Sequence, residues 1–310
     1  MHTHLWSDEP ADAMIVKRCL LVVNPRGGTR RGPAILEQVR PVFEGAGWEL
    51  AVRETAYSGH ARELARTLPL DGYDSLGIIG GDGTIHEVVN GLMERGQPAL
   101  LPLGFIPAGS GNTLHQHLQC LDPLEAARRI LAGRTCLLDA VRVTTDGQTV
   151  YCVDLIGWGG VADINGTAER LRRIGPSRYA LAALWQILLG RRYHATVTLD
   201  GRTIADEFVF VIACNPKFTG KGMKLAPRAE IGDGKLDVIL VRHASRLQLT
   251  RLFLKMFDGS HLSLNCVEYH QVRSFAIESE GRESLDLDGE VRGRAPFQAE
   301  LLPAMFRVFA

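Results

Sequence analysis

Asp82, set among glycines in Gly80-Gly81-Asp82-Gly83, is the side chain of this sequence best placed to handle a proton or a cation, and a second acidic turn, Asp286-Leu287-Asp288-Gly289-Glu290, lies far along the chain. Gly80, Gly81 and Gly83 let the main chain approach phosphate oxygens, and Thr84 adds a hydroxyl. The helix that follows opens with unpaired N–H groups and the positive end of its dipole. A carboxylate inside such an anion site is unfavourable unless it holds magnesium, orients a water or takes a proton from a nucleophile. A helix-capping Asp at an ordinary strand-to-helix turn is the alternative for Asp82, and a plain hairpin the alternative for Asp288-Gly289.

Two further loops share the strand-then-glycine order. Asn24-Pro25-Arg26-Gly27-Gly28 closes the apolar run CLLVVN with Arg26, Arg30 and Arg31 around the turn, and Ala108-Gly109-Ser110-Gly111-Asn112-Thr113 closes the run 103–107. Three such turns at strand C-termini are what an open α/β sheet needs to build one ligand crevice. None spells the P-loop or the dinucleotide fingerprint.

The elements that must carry these loops alternate through the first half. Strands are expected near 19–24, 48–54, 76–80 and 103–107, and helices near 33–45, 60–68, 84–95 and 122–132, which predicts a doubly wound parallel sheet. From about Leu137 the pattern becomes strand-rich, with strands at 140–145, 149–156, 194–199, 207–214, 236–241, 272–277 and 297–301. Asp146-Gly147, Asp200-Gly201 and Asp233-Gly234 punctuate it as hairpin turns would, giving an antiparallel β-rich half. Two helical stretches interrupt it. One covers 167–190 with a break near Gly175-Pro176, and its segment Tyr179 to Leu189 is apolar nearly all round, as in a buried helix or one lining an apolar substrate pocket. In the other, 245–257, Leu249, Leu252, Phe253, Met256 and Phe257 share one face, as expected of a helix packed on the β-rich half rather than on a membrane surface.

Composition bounds what this machinery can serve. The 310 residues are 45% hydrophobic and 23% charged, which predicts two globular domains: a loose tail at 1–14, an α/β nucleotide domain at 15–136, and a β-rich substrate domain at 137–302, with 303–310 packing back on the first. Lys plus Arg equals Asp plus Glu at 35 each, so net charge points to no nucleic-acid partner. The six scattered cysteines read as reduced core residues of a cytosolic protein. The polar, acidic opening does not read as a signal peptide, and no apolar run reaches the length of a membrane span.

The three loops, in this order and spacing, resemble the diacylglycerol-kinase catalytic-domain superfamily, in its sphingosine-kinase and bacterial soluble branches. The resemblance continues through Gly157-Trp158-Gly159, Ala162-Asp163, Glu169 to Arg173, Gly175, Arg178-Tyr179 and the Asp286 to Glu290 motif. It implies an ATP-binding domain, a lipid-binding domain and transfer of the γ-phosphoryl group to a lipid hydroxyl with Mg²⁺. By the same resemblance, the nucleotide rests on Asn24, Pro25, Arg26, Gly27, Gly28, Thr55, Gly81, Asp82, Gly83, Thr84, Glu87 and Ser110, with Arg172 and Arg178 approaching phosphates. For the run of arginines 170–178, a solvated helix face is the alternative. Asp82 and Asp288 are the implied catalytic pair, one activating the hydroxyl and the other helping to organise Mg²⁺, with Glu290 supporting nucleotide or metal. A structural magnesium site is implied at Asp233 with backbone oxygens of Glu230 and Lys235, against an ordinary turn there.

Asp163 and Asn165 match head-group positions, but where sphingosine kinases carry an Asp at the second, this chain has Asn165, which cannot supply a negative charge to an amine. His86 matches the sphingosine-kinase form, whereas Lys217 to Pro227 looks bacterial. The substrate is therefore expected to be a lipid such as diacylglycerol or a sphingoid base, met transiently at a membrane surface by a peripheral, cytoplasmic enzyme, with a homodimer left open. A kinase of a soluble dinucleotide, also bearing GGDGT, and a non-catalytic lipid or nucleotide sensor are the rival functions.

Overall fold

The computed structural model describes residues 16–28, 30–95, 101–171, 178–220 and 222–310. The first half lays down β1 (Arg18–Val23), α1 (Gly32–Gly45), β2 (Glu49–Glu54), α2 (His60–Thr67), β3 (Ser75–Gly80), α3 (Asp82–Met93), β4 (Leu103–Pro107), α4 (Thr113–His117) and α5 (Pro123–Ala132). Its strands pair in parallel in the order β2-β1-β3-β4. All six residues of β3 are buried, because helices cover both faces of the sheet. Leu20, Ile78 and Val88 belong to the core on one side, and Leu21, Ile35 and Ile79 to the core on the other. Each of the three glycine turns leaves the C-terminal end of its strand, β1, β3 or β4, on the same edge of this sheet. Helix α3 opens at Asp82, two residues earlier than expected, and the short α4 had no periodic signature.

The second half contains β5 (Thr135–Thr145), β6 (Gln148–Cys152), β7 (Leu155–Gly159), α6 (Gly160–Arg170), α7 (Arg178–Leu189), β8 (Tyr193–Leu199), β9 (Arg202–Cys214), β10 (Leu236–Arg242), α8 (Arg246–Lys255), β11 (Val267–Val272), β12 (Ser274–Glu278), β13 (Ser284–Leu287), β14 (Glu290–Arg294) and β15 (Phe297–Phe309). Here pairing is antiparallel around a core that includes Val141, Trp158, Phe208 and Phe275. Strand β15 runs past the expected 297–301: it pairs with β5 and β12, and its Val308 meets Leu103 of β4. One continuous sheet therefore joins the halves.

Several expectations are corrected. The single strand 149–156 is two, β6 and β7, separated at Val153-Asp154, and 272–277 is divided between β11 and β12. Asp146-Gly147 and Asp200-Gly201 do close hairpins, but Asp233-Gly234 lies on the long connection between β9 and β10. Helix α7 is not buried: Leu181, Leu184, Trp185 and Leu188 are 45–56% exposed, while Ala182 and Ala183 face inward. On α8, Leu249 and Leu252 are buried against β9 and β10 as expected, but Phe257 is exposed beyond its end, together with Leu247 and Leu254. The expected break at Gly175-Pro176 and the tail 1–14 lie outside the described residues. All six cysteines are free, five buried and Cys136 half-buried.

Candidate active site

The first two glycine turns are stitched by side chains that the sequence placed in them. Asn24 Nδ2 donates to Thr84 Oγ1 at 2.9 Å, and Asn24 Oδ1 accepts from the Arg26 amide at 3.0 Å. The second and third turns touch backbone to backbone. A Cβ on Gly81 would stand 2.8 Å from Gly109 Cα, and one on Gly111 would strike Asp82 Oδ2, so neither position tolerates a side chain. Asp82 Oδ1 accepts from the Thr113 amide at 2.7 Å. The capping alternative thus holds in altered form, since the helix that Asp82 caps is α4, not its own. Burial, and secondarily the charge of Asp288, push the Asp82 carboxyl above the ordinary carboxylate range, while the Thr113 amide pulls it back.

Asp288 arrives from the other half at the tip of the β13–β14 hairpin, where it adopts φ 53° before Gly289 at φ 89°, as a two-residue turn requires. The hairpin alternative is therefore correct as geometry, yet the side chain faces inward and is 4% exposed. Its Oδ1 accepts from the amides of Asp154 and Leu155 at 2.9 and 3.0 Å, and its Oδ2 from the Val153 amide at 3.1 Å and from His86 Nδ1 at 2.8 Å. His86 is on α3, so this carboxylate ties the helix after the GGDG turn to the bend between β6 and β7. Asn90, one helical turn further on, donates to Tyr151 O at 2.8 Å and accepts from Tyr151 N at 2.9 Å. Glu290 lies over the same turn, its Oε1 3.9 Å from where a Gly83 Cβ would stand. Asp82, Asp288 and Glu290 thus lie near one another where α3 meets the second half.

Other expected residues have different surroundings. Glu87 does not face the cleft: its two carboxylate oxygens accept from the amides of Gly59 and Ala61 at 2.8 and 3.1 Å, capping α2. Thr55 is buried beside β1, Ser110 is exposed on its turn, and Arg26 donates to Ala56 O at 2.9 Å. Asp163 accepts from Tyr193 Oη at 2.6 Å and from Arg191 at 3.3 Å, and Asn165 donates to Gly289 O at 2.6 Å. Arg172 lies outside the described residues, and Arg178 is described only as the first residue of α7. At the expected metal turn, Asp233 Oδ1 accepts from the Lys235 amide at 3.0 Å and Glu230 pairs with Lys217 at 2.6 Å. Among the described residues no group of three metal-binding side chains converges there or elsewhere.

Sequence reasoning missed three participants. Asp154, at the β6–β7 bend, is 4% exposed. Its signal was a carboxylate in the middle of an otherwise apolar run, a placement rare without a reason. Asp286 is buried in the β13–β14 hairpin, its carboxyl pushed up to about 7 by burial and held back by the Gly289 amide. Gln116 Nε2 donates to both Gly111 O and Gly220 O at 2.6 Å, clasping the third glycine turn to the loop 217–226.

Residues 18–143 match the family model described as the diacylglycerol kinase catalytic domain, and residues 155–310 match the YegS C-terminal NAD kinase beta sandwich-like domain. The chain is 30% identical to sphingosine kinase 1 of Arabidopsis thaliana over 96% of its own length and 74% of that protein. To the diacylglycerol kinase of Bacillus subtilis (strain 168) it is 27% identical, over 91% and 92%. A solved diacylglycerol kinase structure from Bacillus anthracis str. Sterne superposes with a TM-score of 0.75 at 25% identity, covering 94% of this chain and 96% of that one. The chain belongs to the diacylglycerol kinase catalytic-domain family and is an ATP-dependent lipid kinase.

Proposed function

We propose that the chain transfers the γ-phosphoryl group of ATP to an uncharged glycerolipid hydroxyl, with Asp82 as the proton acceptor. The observation that carries the assignment is the contrast between the two carboxylates. Asp288 has both oxygens filled by four N–H donors and is sealed from solvent, which leaves no lone pair for an incoming hydroxyl. Asp82 is half-buried rather than sealed: its Oδ1 accepts from the Thr113 amide, the Asn112 amide and the Thr113 side chain also act on the carboxyl, and Oδ2 packs against Gly111, so it is less fully saturated than Asp288. As the lipid oxygen bonds to the γ-phosphorus its proton passes to Asp82, while the bond to the bridging oxygen breaks and ADP departs. Asp288 is then a positioning residue that holds α3 against the second half.

The nucleotide rests, in this reading, on the three glycine turns: Asn24 to Gly28, Gly81 to Thr84, and Ser110. Glu290 fits a hard cation at the phosphates, being an oxygen donor, 43% exposed, over Gly83 and paired only at 3.9 Å with Arg292; Mg²⁺ bound there supplies charge neutralisation.

The acceptor's class follows from compensation at the two head-group candidates. Asp163 is already matched by Arg191 and Tyr193, and Asn165 is spent on Gly289 O, so neither offers an anion to an amine. Lipid access fits α7 and α8, which pack together and leave Leu181, Leu184, Trp185, Leu188, Leu247 and Leu254 exposed. Exposed Arg246 and Arg251 accompany this stripe, a combination suited to an anionic bilayer surface. Transfer of label from ATP to diacylglycerol, monoacylglycerol, ceramide and sphingosine in mixed micelles tests the reading. Label should enter diacylglycerol at least tenfold faster than sphingosine; labelling of NAD alone, or a preference for sphingosine, overturns it.

A further inference from the structure

Asp154 is the buried ionisable group that the transfer step leaves unused. Its main chain is pinned on both sides: its amide donates to Asp288 Oδ1 at 2.9 Å, and its carbonyl accepts from the Asn215 amide at 2.9 Å. Asn215 in turn donates from Nδ2 to Asp139 O and Val153 O, both at 3.1 Å, so the bend cannot swing the side chain out to water. The side chain is held inside, and its Oδ1 has no hydrogen-bond partner. The charges that act on it are those of Asp82 and Asp288, both acidic.

We propose that Asp154 serves the reaction as an uncharged carboxylic acid, a positioning residue that keeps one negative charge out of the cleft so that the ionised Asp82 and the triphosphate can occupy it together. A buried carboxylate with no donor and no cation is among the costliest groups in a protein, and it takes up a proton instead. Burial first, and then Asp82 and Asp288, push its carboxyl well above the usual range. Were it ionised, the phosphates of the nucleotide would enter a floor carrying one more negative charge beside Asp82, Asp288 and Glu290, at a buried position where water damps repulsion least. The other titratable groups here are Cys152 on β6 and Cys214 on β9, which feel its charge, and His86 on α3 and Asp286 in the hairpin, which act on Asp288. Burial drives both thiols well above their usual range.

The inference rests on ATP entering this cleft, and the test needs no lipid turnover, so a failed acceptor assignment leaves it standing. Infrared difference spectra of wild type against Asp154→Asn at neutral pH should show one protonated-carboxyl carbonyl band that the variant lacks. ATP affinity, measured by calorimetry from neutral into alkaline pH, should fall up to tenfold per pH unit in wild type once that band disappears, and stay flat in Asp154→Asn. If the variant does not fold, the wild-type titration alone decides, through coincidence of the two midpoints. A wild-type spectrum without the band, an affinity loss unconnected with it, or the same alkaline loss in Asp154→Asn overturns the proposal.

Discussion

Asparagine at position 288 separates the two carboxylates' roles, because the structure assigns them different costs. Asp288→Asn keeps one oxygen and converts the other into an amino group, which then faces two of the four donors now bound: Val153 N and His86 Nδ1, or Asp154 N and Leu155 N. Losing a hydrogen bond to a charged acceptor costs about 1.5–3 kcal/mol, so losing two costs about 3–6 kcal/mol. Against a total stability of about 5–15 kcal/mol that is a large fraction. At about 2 °C per kcal/mol, the melting temperature should drop by about 6–12 °C. Asp82→Asn, by contrast, retains an oxygen for the Thr113 amide, so its melting temperature should shift by no more than about 2 °C, the equivalent of about 1 kcal/mol. Its turnover should fall by about 10²–10⁴, the range for loss of a general base, with ATP binding changed far less. Melting curves, calorimetric ATP titration and label transfer on the same two preparations make the comparison. An Asp288→Asn protein that melts like wild type yet has lost turnover, beside an Asp82→Asn protein that turns over normally, would refute the assignment.

Three further outcomes follow from the same geometry. Gln116→Ala removes both bonds from the third glycine turn to the loop 217–226, so amides of that loop should exchange with deuterium faster while those of β3 do not. Asp286 has a folded-state carboxyl near 7 against 3.8 ordinarily, so it favours the folded state at low pH, and this stability, of order 4 kcal/mol, is lost as pH rises through about 7. Denaturant titrations from about pH 4 to about pH 8 should show that decline in wild type, levelling off above neutrality, and less of it in Asp286→Asn. Replacing Leu184 and Trp185, 52% and 56% exposed, by Glu should leave the melting temperature unchanged but weaken co-sedimentation with anionic vesicles by about tenfold per side chain, since each apolar side chain contributes about 1.5–3 kcal/mol when buried.

Local pattern made the parallel sheet legible. Short apolar runs ending in glycine turns carry their own punctuation, so β1, β3 and β4 and the loops after them were readable within a residue or two. The β-rich half was less so, because the bend at Val153-Asp154 has no Gly or Pro to announce it and exists only where the Asp288 carboxylate gathers three successive amides from across the fold. Asp82 could be named from residue type and neighbours, and Asp288 through the family resemblance. What they touch could not: the difference between an open and a saturated carboxylate is made by Thr113, His86 and the β6–β7 bend, up to 202 positions away. Helix α7 misled for a related reason. An all-round apolar sequence says that a helix avoids water, and does not say whether protein or something outside it will do the covering.

The same contacts explain why a soluble-looking core and a greasy stripe belong to one machine. The cleft is held at two places, by Asp288, His86 and Asn90 joining α3 to the second half, and by Gln116 and His117 meeting the loop 217–226. With both joints made of buried or half-buried hydrogen bonds, Asp82 is presented in a fixed position, and the acceptor must be brought to it. A continuous path of packed helices does run outward from the β13–β14 hairpin: Asn165 of α6 holds the hairpin at Gly289, α6 packs on α7, and α7 on α8, where exposed leucines lie. A lipid drawn from a bilayer against α7 and α8 would therefore meet a head-group site one helix away from its acyl chains. Any loosening of α6 against the hairpin should raise the KM for lipid without altering ATP affinity. Asn165→Ala, which removes the 2.6 Å bond to Gly289 O, is the substitution that isolates this coupling, and an equal rise in the KM for ATP would break it.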